Sequence, residues 1–254
     1  MASTFPDAVR HSAKSLYGTW ADRPAAQREP HAVAGVTIID LDRTITRHGT
    51  YSPFLLFSAW RLAPWRLSLV PLVLLSMAAY KLRLIRRRTL KEAMHRLMLG
   101  RALDRKTVTH LADAFADHVL ARNLNADAAE LIAREQGQGR VLILATAAHR
   151  LYAEAIARKL GIQHVVATES VWRGASLMAE IDGENCRGTE KAGRVRACLD
   201  SLGLDRSSVS IRCYSDDASD LPCFELADEP VAVNPTRKLS RLAQARRWQI
   251  LALR

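Results

Sequence analysis

Two aspartates stand one residue apart at the end of a short apolar run, in the stretch VTIIDLDRTIT that covers residues 36–46. Asp40 and Asp42 bring two carboxylates to the expected tip of a strand, which is costly unless positive charge lies between them. A magnesium ion, Mg²⁺, prefers hard oxygen ligands of this kind and would bring a phosphate group with it. The spacing therefore indicates phosphoryl chemistry at the end of a strand.

Further polar residues stand where predicted strands end or predicted helices begin. Because ligands bind at the carboxyl edge of an open parallel sheet, side chains at these positions are candidates to join the aspartate pair. Singly each has an ordinary explanation, since a threonine before a helix is usually a cap and an acidic turn is usually solvated. Their conjunction, in order along the chain, is much harder to obtain by accident. The candidates are Thr146 and Ala147 in LILATAAH, Lys191 in NCRGTEK, and Asp216, Asp217 and Asp220 in YSDDASD.

The pattern of apolar residues predicts an α/β fold with a parallel, Rossmann-like sheet. Short runs rich in β-branched residues predict buried strands, and amphipathic stretches typical of helices lie between them. One helix is expected to begin after a cap at Asn125 and to end near Gly137. Two alternating runs around Arg173-Gly174 predict a hairpin, and a helix and a strand are expected in residues 237–254. The predicted strands are residues 36–40, 140–145, 164–168, 210–214 and 229–233.

The interval from residue 51 to residue 122 interrupts this alternation and is helical in pattern. Within it, Thr89-x-x-Glu92 has the spacing of a capping box and predicts that a helix begins there. Thr146 is likewise expected just before a helix, so that the backbone N–H groups that follow it would form an anion site. We therefore predict a core of residues 31–50 and 123–254 and an inserted helical cap, apolar and basic, of residues 51–122.

Length and composition are those of a globular protein with a substantial core. The chain has 254 residues, of which 48% are hydrophobic, and a formal net charge of +11. No two of its four cysteines have C-x-x-C spacing, which argues against a zinc site and favours reduced thiols in a cytoplasmic protein. Residues 1–30 lack the apolar centre of a secretory signal and are expected to be a poorly ordered leader.

Four motifs make the chain resemble the haloacid dehalogenase-like phosphohydrolases, in the branch related to phosphoserine phosphatase. They are DLDRT, LATAAHRLYAEAIARKLGI, NCRGTEK and YSDDASDLPCFELADEPVAVNP. The resemblance covers about residues 34 to 250 and is weaker in the cap. It implies a magnesium-dependent phosphatase that hydrolyses a phosphate monoester through an aspartyl-phosphate intermediate.

The resemblance also implies a role for each candidate residue. Asp40 resembles the nucleophile, and Asp42 the acid that protonates the leaving oxygen and then deprotonates water. Thr146, the backbone at Ala147 and Lys191 would bind the phosphoryl oxygens. The ligands of Mg²⁺ would be the Asp40 carboxylate, the main-chain carbonyl of Asp42, and Asp216. Asp220 would orient Lys191 or a metal-bound water, with Asp217 in a supporting position.

Four positions depart from the family pattern. Arg43 stands where the family often has glycine, Asp217 replaces a usual serine, and Ser215 replaces a common glycine. None of these removes a catalytic side chain. Phosphoserine phosphatases generally carry a glutamate nine residues after the nucleophile to hold the substrate ammonium, and that position here is Gly49. Phosphoserine is therefore an unfavourable substrate.

A second informative stretch lies in the cap, where residues 67–80 carry no charge. As a helix they would span about 21 Å, against roughly 30 Å of hydrocarbon in a bilayer. A single crossing would also separate Asp40 from Lys191, so only a re-entrant hairpin around Pro71 would be compatible with one site. Two other readings remain: a buried cap helix followed by a solvated turn at Arg86–Arg88, or a helix in a membrane interface. In the latter, Trp60, Trp65 and Tyr80 would lie at headgroup level.

Basic residues surround this apolar run. Between Arg61 and Lys106 there are twelve lysines and arginines, against only Glu92 and Asp104. A basic segment of this kind is typical of contact with anionic lipid, nucleic acid or an anionic substrate, or of a solvated helix face. The chain shows no helix-turn-helix pattern and no aromatic residues interleaved with a basic sheet, so no nucleic acid partner is expected.

Three functional hypotheses follow. The first is a magnesium-dependent phosphatase of a membrane-lipid phosphate such as phosphatidylglycerophosphate, peripheral at the inner face of the cell membrane through residues 60–106. It fits a compositional similarity of the cap to bacterial phosphatidylglycerophosphate phosphatases of the same superfamily. The second keeps the enzyme but gives it a small soluble phosphorylated metabolite. The third is a non-catalytic module whose basic cap binds lipid or nucleic acid.

Overall fold

The computed structural model of the chain describes residues 35–253, so the leader predicted at residues 1–30 lies outside the described residues. Within the described part, one eight-stranded sheet has the order β2-β5-β4-β3-β1-β6-β7-β8. The strands are β1 Val36–Ile39, β2 Ala102–Asp104, β3 Val141–His149, β4 His164–Arg173, β5 Ser176–Asp182, β6 Ile211–Ser215, β7 Glu229–Val233 and β8 Gln249–Leu251.

Helices cover both faces of this sheet along most of the described chain. Two 3₁₀ segments, Pro64–Leu69 and Ala218–Asp220, accompany them. The helices are α1 Tyr51–Leu62, α2 Val70–Lys81, α3 Arg87–Met98, α4 Arg105–Arg122, α5 Ala126–Gly137, α6 Arg150–Lys159, α7 Thr189–Ser201, α8 Leu221–Phe224 and α9 Arg237–Ala245.

The predicted parallel, Rossmann-like sheet is confirmed. Strand β1 pairs in parallel with both β3 and β6, β4 extends the sheet beyond β3, and β7 and β8 extend it beyond β6. The predicted hairpin is confirmed as the antiparallel pair β4 and β5, with its turn at Gly174 and Ala175. The final helix and strand are α9 and β8. Helix α5 also begins after Asn125 and ends at Gly137, as expected.

The interval from residue 51 to residue 122 is not purely helical, which corrects the prediction. Residues 102–104 form β2, which pairs antiparallel with β5 and adds a strand to the edge of the sheet. A strand of three residues is too short to show a periodic pattern in the sequence. It forms by pairing with β5, the unpaired edge strand of the hairpin. The interval also shares a core with the rest of the chain, since Phe54 of α1 stacks on Tyr152 of α6 with ring centroids 4.6 Å apart.

The predicted capping box at Thr89 and Glu92 is wrong. Helix α3 begins two residues earlier, at Arg87, and Arg86 is its N-cap residue. Glu92 instead accepts hydrogen bonds from the Arg88 side chain and from the backbone N–H of Ile181 on β5. Arg88 in turn donates to the carbonyls of Ile181 and Gly183, so it is not on a solvated turn. Contacts with a distant hairpin therefore decide where this helix begins.

The reading of residues 67–80 as a buried cap helix is also wrong. In α2 only Val73 is buried, whereas Leu74 and Leu75 are 58% and 66% exposed. Helix α2 is 12 residues long, and across residues 35–253 no helix combines the length and apolar character that a membrane crossing requires. Of the thirteen large hydrophobic side chains exposed in this part of the chain, eleven lie between residues 56 and 84. We call them the apolar cap surface: Leu56, Trp60, Leu62, Trp65, Leu72, Leu74, Leu75, Met77, Tyr80, Leu82 and Leu84.

Candidate active site

Strand register brings three of the sequence-predicted segments to one edge of the sheet. Ile39, the last residue of β1, pairs with Leu144 on β3 and with Tyr214 on β6. The residues that follow on the three strands, which include Asp40, Thr146 and Asp216, therefore lie at the carboxyl edge. Asp40 is tied to this register because its N–H donates to the carbonyl of Tyr214 at 2.9 Å.

Lys191 joins this edge from α7, where it is the third helical residue and is buried. Its Nζ donates to Oδ1 of Asp40 at 2.8 Å and to Oδ2 of Asp220 at 2.7 Å. Ser215 donates its hydroxyl to the same Oδ2 atom of Asp220 at 2.7 Å. The predicted orientation of Lys191 by Asp220 is thus present as a hydrogen-bonded chain that ends on the candidate nucleophile.

The buried cluster holds more carboxylates than cations. Burial raises the pKa of Asp40 to about 8 against the opposing charge of Lys191, and burial followed by the charge of Asp217 raises the pKa of Asp216 to about 7. The pKa of Lys191 lies well above its ordinary value, because Asp220 and Asp40 outweigh the cost of its burial. This surplus of negative charge is what a cation or a metal-bound phosphate would offset.

Asp42 lies in a tight turn, Leu41–Ile45, that connects β1 to the cap. Arg43 in this turn has φ of +63°, which explains why a glycine suits the position. The Asp42 carboxylate accepts two hydrogen bonds on Oδ1 from Thr50, one from the N–H at 2.8 Å and one from the hydroxyl at 2.7 Å. Burial nevertheless raises the pKa of Asp42, and the Thr50 hydrogen bonds oppose that rise. A carboxyl group held this way is suited to carry a proton.

Thr146 and Ala147 reach the same edge, but not at a helix start, which corrects the prediction. Strand β3 continues to His149, and α6 begins at Arg150 after His149 as N-cap residue. Pairing of His149 with Thr168 on β4 extends the strand past the expected end at Ala145. The N–H of Ala148 donates to the Thr146 hydroxyl at 3.0 Å, so this N–H is already used within the segment.

Asp217 stands apart from the buried carboxylates. It accepts a hydrogen bond from the N–H of Ser219, which caps the short 3₁₀ segment, and it pairs with Arg187 at 3.1 Å. Burial works against its ionisation, but the Ser219 bonds and Arg187 hold the pKa of Asp217 below its ordinary value. Its supporting position is thus one beside the cluster, where it shapes the loop that carries Asp216.

Sequence reasoning missed two residues of this site, Thr50 and Lys91. Thr50 holds Asp42 through two hydrogen bonds. A threonine eight residues after an aspartate belongs to no motif, so the sequence did not single it out. Lys91 of α3 is buried, and its Nζ donates to the carbonyl of Ala147 at 2.6 Å and to Oδ1 of Asn185 at 2.5 Å. Lys91 was counted only as one of twelve basic residues, because a sequence does not show which lysine of a basic segment turns inward.

Fold and site together define the chain as an α/β protein with a carboxylate-rich site at the carboxyl edge of its sheet. Comparison with protein families agrees: the family model for haloacid dehalogenase-like hydrolases matches residues 37–225. The chain therefore belongs to the haloacid dehalogenase-like hydrolases.

Two curated proteins from Mycobacterium tuberculosis are similar to this chain. A protein named as a probable phosphatase is 32% identical over 127 residues, which cover 50% of this chain and 43% of that protein. A protein named phosphoserine phosphatase is 31% identical over 142 residues, which cover 55% of this chain and 45% of that protein. The matched region thus spans less than half the length of these relatives.

Solved structures show the same fold. A Bordetella pertussis protein of unknown function superimposes with a TM-score of 0.74 at 24% identity, covering 85% of this chain and 97% of that one. The phospho-aspartyl intermediate analogue of a phosphoserine phosphatase superimposes with a TM-score of 0.58 at 15% identity, covering 86% and 92% of the two chains.

Proposed function

We propose that the protein is a magnesium-dependent phosphatase that hydrolyses a phosphate monoester through an aspartyl-phosphate on Asp40. One observation carries this proposal: Asp40 is held at 2.8 Å by the buried Lys191, at the sheet edge that also holds Asp42, Thr146 and Asp216. Names of relatives support it, since two of the similar proteins are named as phosphatases.

Each step uses a group of this chain. A carboxylate oxygen of Asp40 forms a bond to phosphorus while the bond to the leaving oxygen breaks, and Asp42 gives its proton to that oxygen. Asp42, now ionised, takes a proton from water, the water oxygen attacks phosphorus, and the bond to Asp40 breaks. Lys191 and the Thr146 hydroxyl compensate the charge of the phosphoryl oxygens in both steps.

The donor set fits a hard divalent cation. Asp40 and Asp216 are buried carboxylates whose pKa values burial raises to about 8 and about 7, so the pair needs further positive charge to stay ionised. Within residues 35–253 no group of three or more His, Cys, Asp or Glu side chains could hold a metal unaided. The main-chain carbonyl of Asp42 and water would complete the ligand set, as magnesium accepts. Bound there, Mg²⁺ would neutralise phosphoryl charge.

Hydrolysis of p-nitrophenyl phosphate tests this proposal. We expect activity that EDTA abolishes and Mg²⁺ restores, and a loss of at least about a thousandfold in Asp40→Asn, because the nucleophile is removed. Asp200→Asn is the matched control, since Asp200 is an exposed aspartate of α7. Activity that is indifferent to chelation, or that survives in Asp40→Asn, contradicts the proposal.

We further propose that the substrate is a membrane-lipid phosphate such as phosphatidylglycerophosphate. The apolar cap surface supports this, because eleven of the thirteen large hydrophobic side chains exposed in residues 35–253 belong to it, and apolar side chains exposed together usually meet a partner or a membrane. Exposed basic residues stand next to these side chains in the sequence, namely Arg61, Lys81, Arg83 and Arg86. Apolar side chains flanked by arginine and lysine are typical of segments that lie in the interface of an anionic membrane, here the inner face of the cell membrane.

Vesicle flotation tests the lipid proposal. We expect the protein to float with vesicles that contain phosphatidylglycerol, to be released by salt, and to lose most binding in Leu74→Gln/Leu75→Gln. Ile250→Gln is the control, because Ile250 is 43% exposed but lies far from residues 56–84 in sequence. Turnover of a soluble metabolite without flotation favours the soluble-substrate hypothesis, and binding without any turnover favours the non-catalytic one.

A further inference from the structure

Lys91 is a buried lysine whose hydrogen-bond partners carry no charge. It is 5% exposed, and within residues 35–253 no salt bridge joins its Nζ to a carboxylate, although the charge of Asp42 acts on it from a greater distance. Its two hydrogen-bond acceptors are neutral, the carbonyl of Ala147 and Oδ1 of Asn185. Burying a lysine without a counter-charge is expensive, so an anion supplied from outside would stabilise this arrangement.

Two buried polar atoms beside Lys91 lack hydrogen-bond partners in the described part of the chain. Oδ1 of Asn185 accepts from Lys91 and lies 3.2 Å from the Thr168 hydroxyl, an arrangement that orients the amide and leaves Nδ2 as the remaining donor. In the described part of the chain, Nδ2 of Asn185 and Nε2 of the buried His149 have no hydrogen-bond partner. His149 stacks on Tyr51, with ring centroids 5.2 Å apart, and Tyr51 lies under the Lys91 ammonium at the same distance.

This cluster lies on the side of the site where the leaving group must be. Asp42, which would protonate the leaving oxygen, is near Lys91. Burial raises the pKa of Asp42, and the charge of Lys91 is one of the effects that oppose this rise. Gly49 marks the same side, because a Cβ atom built there would lie 4.0 Å from Oδ2 of Asp42. At Gly49 the chain thus has no carboxylate to receive a cationic leaving group, whereas Lys91 places a cation near the same aspartate, Asp42.

We propose that Lys91, with Asn185 and His149, forms an anion subsite at the junction of cap and core that binds a second negatively charged group on the leaving alcohol. A carboxylate or a phosphodiester beside the scissile phosphate has this chemistry. The proposal rests on the phosphatase function proposed above and narrows its substrates to phosphate monoesters whose alcohol is itself anionic. Arg87 and Arg187 add positive charge nearby, since both lower the pKa of Lys91.

Binding without turnover tests the subsite separately from catalysis. In an Asp40→Asn background, 3-phosphoglycerate, whose alcohol carries a carboxylate, is compared by calorimetry with glycerol 3-phosphate, whose alcohol is neutral. We expect at least about tenfold tighter binding of 3-phosphoglycerate, the value of one charge-assisted hydrogen bond. Lys91→Met, which keeps the unbranched side chain up to the ammonium, should remove this preference, and so should Asn185→Asp, which gives Lys91 an internal partner.

Lys106→Met is the matched control, because Lys106 is an exposed lysine of α4, and it should keep the preference. Equal binding of the two ligands before substitution, or an equal loss for both in Lys91→Met, overturns the subsite. Turnover of p-nitrophenyl phosphate, measured on the chain with Asp40 intact, decides the phosphatase function on its own. A Lys91-dependent preference without turnover leaves the subsite standing and removes the phosphatase.

Discussion

At the scale of single residues, chemistry here depends on neighbours that are distant in sequence. Asp40 and Lys191 are 151 positions apart, yet their hydrogen bond is 2.8 Å long and buried. Asp42 is controlled by Thr50, which supplies two hydrogen bonds to one carboxylate oxygen. A proton carrier must be oriented as well as protonated, so the residues that hold a carboxylate matter as much as the carboxylate itself.

Thr50→Val tests that orientation. The substitution keeps the shape and the backbone N–H of Thr50 but removes the hydroxyl bond of 2.7 Å to Asp42. We expect kcat for p-nitrophenyl phosphate to fall by about ten- to a hundredfold, because a hydrogen bond to a charged group contributes roughly 1.5–3 kcal/mol. Thr109→Val removes a hydroxyl bond on the exposed face of α4 and should leave kcat unchanged. An unchanged kcat in Thr50→Val means that the N–H alone holds Asp42.

Lys91 gives the reaction a specific pH dependence. Burial, and then the charge of Arg87, lowers the pKa of Lys91 to about 7, so the ammonium is present below that pH and lost above it. The KM ratio of glycerol 3-phosphate to 3-phosphoglycerate should therefore fall as pH rises from 6 to 9, by about tenfold in all, because the whole preference is lost with the ammonium. Both substrates carry the same phosphate monoester and meet the same reacting residues of the enzyme. Titration of those groups therefore affects both KM values alike and cancels in their ratio. Other groups that act on Lys91 are Asp42, Cys186 and Arg187.

Lys91→Met decides whether this dependence belongs to Lys91. In that variant the KM ratio should be low and flat across the pH range, because no ammonium remains to be lost. A ratio that still falls with pH would assign the effect to another of the surrounding groups.

At the scale of elements, tertiary contacts shift several boundaries away from their local signals. Helix α3 begins at Arg87 because Arg88 and Glu92 both bond to the β5 hairpin, and β3 continues to His149 because β4 pairs with it there. The Leu41–Ile45 turn shows the opposite case, in which the backbone keeps a conformation that its residue does not favour. Arg43 adopts φ of +63°, where an L-residue costs about 1–2 kcal/mol.

Arg43→Gly should therefore raise the free energy of unfolding. Glycine removes the cost of positive φ but adds entropy to the unfolded chain, so we expect a net gain of about 0.5–1 kcal/mol. Urea unfolding measures it. Arg247→Gly is matched, since Arg247 is exposed and has φ of +56°, and it should give a similar gain. Destabilisation in Arg43→Gly alone would show that the arginine side chain stabilises the turn through its charge near Asp216.

At the scale of the whole molecule, a buried carboxylate outside the site, Glu135, joins several strands of the sheet. Glu135 of α5 is fully buried and bonds to Thr37 on β1 at 2.7 Å and to Arg212 on β6 at 2.7 Å. Tyr214 donates to it at 3.0 Å, and Arg140 lies at 3.4 Å. These contacts join the strands whose carboxyl ends carry Asp40, Thr146 and Asp216, so the sheet reaches the site already aligned.

Glu135→Gln should lower the free energy of unfolding by about 3 kcal/mol, because removing one partner leaves buried cations uncompensated. Burial opposes ionisation of Glu135, but hydrogen bonds from Thr37, Tyr214 and Arg212 hold its pKa below the ordinary 4.5. The parent chain therefore has its whole advantage in free energy of unfolding over Glu135→Gln above pH 4.5. This advantage disappears as the pH falls through the pKa of Glu135 in the folded protein, which is below 4.5. Glu154→Gln, at an exposed ion pair, should cost less than about 0.5 kcal/mol. A pH-independent loss would indicate packing instead of charge.

The sequence by itself determined the class of fold and the main polar residues of the site. Strand and helix patterns are local, and the ends of parallel strands meet at one edge whatever the details, so Asp40, Asp42, Thr146, Lys191 and Asp216 could be named in advance. Only the tertiary structure decided that Lys91 turns inward, that Thr50 holds Asp42, and that α2 leaves its leucines exposed. These features depend on contacts between segments tens of residues apart, whose energies no local pattern contains.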